Sequence, residues 1–136
     1  MKRILYIVIL GLAAMTGCQK EPTLADLLCN EWRGSDLSVD AGIYMKFSSD
    51  GTFELYQKMG TGSFELRRGR WTLSGNILSG AYNDSEPWGS SYEISVKGKT
   101  LTLVSQDEGG EVNVYQKVTI PKVIKEGCTV VVKSQP

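Results

Sequence analysis

Turn residues recur through this chain at nearly even intervals, and between them apolar side chains occupy every second position. Glycines at 51, 62, 75, 89, 98 and 109 stand 9 to 14 residues apart. Ile43, Met45 and Phe47 alternate with Tyr44 and Lys46, and Phe53 and Leu55 continue the rhythm after Ser49-Asp50-Gly51. A period of two is the signature of half-buried strands, and Asp-Gly accepts the positive φ of a tight hairpin. Tyr92, Ile94 and Val96 run up to Lys97-Gly98-Lys99, and Leu101 and Leu103 run up to Asp107-Glu108-Gly109-Gly110. Val112, Val114, Gln116, Val118 and Ile120 follow until Pro121 stops the pattern. Short, evenly spaced strands with no helix between them predict an all-β chain, an antiparallel up-and-down meander of about eight to nine strands. Closing such a meander into a barrel removes its two open edges.

Three stretches depart from the rhythm. Thr23-Leu24-Ala25-Asp26-Leu27-Leu28 has helical spacing, with Thr23 as cap and Asp26 three residues on, so a short N-terminal helix should plug or cover the barrel. Phe64, Leu66 and later Trp71 and Leu73 make a longer strand, in which Gly69 is expected to be a bulge. Asn83 to Ser90 is the one longer loop, and Thr129 to Val132 is a last apolar run.

Residues 1–17 read as a secretory signal: Lys2 and Arg3, an apolar run from Ile4 to Met15, then Thr16-Gly17. The run is too short for a membrane span, which needs about 20 residues. Met15-Thr16-Gly17-Cys18 resembles the lipobox of bacterial lipoproteins, whose cysteine is acylated, with palmitate among the chains, and becomes the first mature residue. That resemblance implies a lipidated Cys18, a tether over 18–22 and a domain over 23–136. Gln19 after the cysteine implies the outer membrane, and Gln19-Lys20-Glu21-Pro22 is either a plain tether or a tag similar to those that expose some lipoproteins at the surface. Two cysteines then remain, Cys29 and Cys128. An oxidising compartment and an even count favour a disulfide, which would join the two ends of the domain; two separately buried thiols are the alternative.

Asn30-Glu31-Trp32, Phe47-Ser48-Ser49-Asp50-Gly51-Thr52-Phe53, Gly69-Arg70-Trp71-Thr72-Leu73-Ser74-Gly75-Asn76 and Lys99-Thr100-Leu101-Thr102-Leu103 together resemble the lipocalin-like domains of small Gram-negative lipoproteins. The resemblance covers most of residues 23–118 and leaves 119–136 outside. It implies a lipocalin-like barrel, with Trp32 under its floor and Lys117 as the basic side chain nearest that tryptophan.

Function is narrowed mainly by what is missing. The chain has no histidine, so the usual general base and most catalytic zinc sites are absent. No serine or cysteine stands in a nucleophile-elbow pattern. Glu54 and Glu65 could face each other across a hairpin, and Asn83, Asp84, Ser85 and Glu86 could offer oxygens to calcium. Solvated carboxylates and a polar turn are the simpler readings. Fifteen basic and fifteen acidic residues give a neutral chain without the basic patch that nucleic acid requires. No enzyme activity, metal or cofactor is expected.

The aromatics say more. Trp32 and Trp71 should be structural. Trp88, between Pro87 and Gly89, either lines a barrel mouth, anchors a partner or folds back over the open end. Tyr44, Tyr56, Tyr82 and Tyr92 are either girdle or pocket. The leading expectation is an outer-membrane-anchored binding protein for a small apolar ligand. The other is an interaction or inhibitor module acting through its loops.

Overall fold

The computed structural model describes residues 21–35, 42–58 and 62–131. Cys18, the signal segment and the Gly60-Thr61 turn lie outside these. The elements in order are α1 (Leu24–Leu28), β1 (Glu31–Gly34), β2 (Ile43–Phe47), β3 (Thr52–Gln57), β4 (Glu65–Ser74) and β5 (Ile77–Tyr82). Then come β6 (Tyr92–Lys97), β7 (Thr100–Ser105), β8 (Val112–Lys117), α2 (Lys122–Gly127) and β9 (Thr129–Val130).

β1 to β8 pair antiparallel in chain order, and β8 pairs back on β1, with Trp32 opposite Lys117. The eight strands therefore form a closed barrel with β9 as an extra strand. Register assigns each side chain to a face. Phe47 opposes Phe53, Phe53 opposes Gly69, and Gly69 opposes Tyr82, so these positions point inward. Trp32, Ile94, Leu101, Leu103 and Tyr115 share that face and form the main core.

α1 closes one end. The Thr23 hydroxyl accepts the Asp26 N–H, and the Asp26 carboxylate accepts the Thr23 N–H, so the expected capping box is present. A five-residue helix does not persist alone in water. Leu28, fully buried among the barrel side chains, holds it there and stabilises by about 2 kcal/mol. The buried Trp32 indole N–H also donates to the Leu28 carbonyl at 3.0 Å. The turns at Gly51, Gly75 and Gly98, all with positive φ, lie at this closed end.

Gly69 is not a bulge. The β3–β4 register runs through it unbroken and the β4–β5 register begins at it, and a Cβ there would stand 2.1 Å from the Ala81 carbonyl and 2.7 Å from the Phe53 ring. The shift from even to odd apolar positions along β4 has another cause. Leu66 faces outward, with Tyr56 and Ile120, in a second buried cluster that Tyr44, Phe64, Ile124 and Cys128 complete. Residues 119–131 cover this outer face. β9 runs parallel to β4 at Glu65 and Leu66, along the stretch that β5 leaves unpaired. Glu31 fastens the segment, accepting the Ile120 N–H at 2.7 Å and the Lys125 ammonium at 2.8 Å.

The expected disulfide is not formed; Cys29 and Cys128 are free thiols. Cys29 ends α1 at the closed end, its N–H donating to the Ala25 carbonyl. Cys128 sits in the outer cluster, its thiol donating to the Lys125 carbonyl. The β1–β8 ladder joins first and last barrel strands without a covalent link.

Candidate functional site

The end opposite α1 holds a half-enclosed cavity of about 160 Å³. β2 and β3 supply aliphatic and aromatic walls, Met45, Leu55 and Phe53 among them. β5, β6 and β8 supply Tyr82, Tyr92 and Tyr115, with Asn113 beside them. No charged side chain is among the described residues that line it.

Trp88 reaches this cavity by an unusual route. β5 and β6 pair only at Ile77–Glu93 and Leu78–Tyr92, then part. The loop beyond Tyr82 turns back at Ser85, whose φ of 74° lies in the left-handed region, while the Asp84 carboxylate accepts the Glu86 N–H at 3.0 Å. Tyr82 N–H donates to the Glu86 carbonyl and Trp88 N–H to the Gly80 carbonyl, so the returning loop lies along β5. The indole then lies over Gly80, where a Cβ would come within 2.5 Å of the ring. Its edge contacts are with Phe53, centroids 5.2 Å apart, and Tyr92, at 6.2 Å. Tilted and edge-to-face packing of this kind adds about 1 kcal/mol per pair beyond area burial. Trp88 therefore lines the site and half covers it.

Of the other expected residues, Tyr82 and Tyr92 line the cavity and Tyr44 does not. Tyr44 is opposite Tyr56 on the outward face, against Phe64 at 5.8 Å and under the Arg33 guanidinium. Alternation along β2 had to place it outside once Ile43, Met45 and Phe47 were inside. Trp32 is core, as expected. Trp71 faces inward and is half-buried; its indole N–H is shared by the Ser48 and Thr52 carbonyls of the β2–β3 hairpin. Lys117 stands opposite Trp32 in the register and is exposed.

Tyr115 and Asn113 were not singled out by sequence. Their signal was their place in the Val112–Lys117 alternation, odd positions facing in, which the run Val112, Val114 conceals. Burial, with a smaller contribution from Tyr92, pushes the Tyr115 hydroxyl up to about 12. Burial also raises Tyr92 and Tyr82, the latter opposed by Arg67, whose guanidinium lies 5.8 Å from the Tyr82 ring. All three are neutral hydrogen-bond donors at physiological pH.

The carboxylates do not converge. Glu54 points outward, bonded to Tyr56 at 2.6 Å and Arg68 at 3.2 Å, whereas Glu65 pairs with Gln57 on the other face. Among the described residues, no group of three or more Cys, Asp or Glu could hold a metal ion, and no helix is long and apolar enough to cross a membrane.

Comparison with known proteins agrees with this geometry. The lipocalin-like domain family matches residues 30–103. An NMR structure of a protein from Bacteroides uniformis ATCC 8492 shares the fold, with a TM-score of 0.55 at 17% identity. The likeness covers 68% of this chain and 90% of that one. No curated protein matches the sequence.

Proposed function

This chain belongs to the lipocalin-like domain family, and on that premise we propose that it binds a small apolar molecule inside its barrel while a lipid on Cys18 holds it at the outer membrane. The observation that carries the binding reading is the aromatic-walled cavity beneath Trp88, with no charged side chain among the described residues that line it. An eight-stranded barrel of this type either is filled by its own side chains or keeps room for one small ligand. Here the α1 end is filled and the opposite end is not. The family is in general a binding fold, and catalysis is not part of this reading.

Anchoring rests on Met15-Thr16-Gly17-Cys18 and its signal-like approach. More than one acyl chain makes such attachment stable, each buried methylene contributing about 0.8 kcal/mol. The tether enters at α1, so the cavity would open away from the bilayer, either into the periplasm or at the cell surface. A role as a protein-interaction module with Trp88 at a loop tip is less well supported, because the indole is turned into the barrel.

Every described element lies between residues 24 and 130, so a chain starting at Gln19 carries the whole fold. Native mass spectrometry of that chain, purified under mild conditions, should show an adduct of small mass that Trp88→Ala loses. Absence of any adduct, together with no uptake of added apolar molecules, would defeat the binding reading. For the anchor, Cys18→Ser should abolish acyl labelling and extraction into detergent; persistence of both would defeat the lipid.

A further inference from the structure

We infer that the ligand is a single neutral ring carrying one hydrogen-bond acceptor, received by the Tyr115 hydroxyl; this rests on the binding function proposed above and narrows it. Size is the first ground. A cavity of about 150 Å³ lined by apolar side chains accommodates benzene, and the space here is about 160 Å³. Pockets for larger molecules run from about 300 Å³ upward, so a long acyl chain would leave most of itself outside.

Shape is the second ground. Phe53, Tyr82, Trp88 and Tyr92 line the cavity with neighbouring rings at interplanar angles of 62° to 69°. Such a set offers both ring faces and ring edges, which suits a flat guest better than a branched one.

Polarity is the third ground. Tyr115 points inward from β8, lines the cavity and is only 9% exposed. Its hydroxyl makes no hydrogen bond among the described residues. A buried hydroxyl without a partner is destabilising, and native proteins seldom keep one without a reason. A guest with an acceptor oxygen at that depth would complete it. The guest should be neutral because no charged side chain is among the described lining residues, and an ion brought there would find no compensation from them for its lost water. Arg67 stands over the Tyr82 ring and is not among the lining residues.

The test titrates the chain starting at Gln19 with benzaldehyde, toluene and palmitate, following the indole N–H resonances. Benzaldehyde should bind about fivefold more tightly than toluene, the ratio expected for one added hydrogen bond. Tyr115→Phe should erase the difference between the two rings, the dispersed amide spectrum of the variant serving as proof that it is folded. Equal affinities in the parent protein, or a preference that survives Tyr115→Phe, overturn the inference. Palmitate bound more tightly than either ring also overturns it while leaving the apolar-binding function intact. If none of the three binds, that function fails and this inference with it.

Discussion

Trp88 turns inward because position 80, beneath it, has no side chain. A methyl group on Gly80 would overlap the indole, whereas one on Gly89 would meet open space. Gly80→Ala should therefore expel the ring and red-shift tryptophan emission, with weakened uptake of small apolar molecules, while Gly89→Ala leaves the emission unchanged. Gly69 constrains the backbone instead, since its missing Cβ admits the Ala81 carbonyl. Gly69→Ala should cost at least about 2 kcal/mol, read as a lower urea midpoint with an unchanged slope. The sequence marked both Gly69 and Trp88 as exceptional, with a bulge expected at the first and three placements open for the second. A glycine in a strand signals a bulge or a close approach equally well. What decides is a neighbour from another strand.

At the scale of elements, α1 and the hairpin turns were legible because their chemistry is local: a capping box, an Asp-Gly turn, glycines at positive φ. The outer cluster was not. Tyr44, Tyr56 and Leu66 look like errors of parity until residues more than fifty positions later arrive to cover them. Glu31 holds that cover. Burial raises its carboxyl, and the bonds from Lys125 and the Ile120 N–H, with the Lys46 charge, more than reverse this, leaving it below the usual range. A carboxyl so lowered stabilises above its unfolded value, about 4.3, and that contribution is lost as pH falls through the folded value. The protection factor of the Ile120 amide, its exchange rate corrected for the intrinsic pH dependence, should accordingly fall as the carboxylate becomes protonated. At neutral pH, Glu31→Gln should weaken the attachment by about 1–2 kcal/mol. Cys128, which lies in the covered cluster, should then alkylate faster than in the parent protein, with Cys29 unchanged.

For the whole molecule, the all-β meander was legible from spacing, since alternation and turn frequency belong to short stretches of chain, and its closure from the two open edges it would otherwise leave. The disulfide was inferred from compartment and count, and neither reports where two side chains end up. With β1 and β8 joined by their own ladder, reductant should leave the melting temperature of the chain from Gln19 unchanged within about 1 °C, and alkylation after unfolding without reductant should label both thiols. Burial and the nearby Asp26 and Asp50 carboxylates raise the Cys29 thiol, so it should react slowly in the folded protein.

The order of manufacture gives the parallel strand a further meaning. A ribosome delivers Trp32 long before Lys117, so the ring of strands stays unsealed until β8 has emerged. Even then β4 keeps a bare rim and a greasy flank until Thr129 and Val130 follow. Nascent or early-terminated chains should consequently be sticky on that one side, and that is the side a chaperone would have reason to grip.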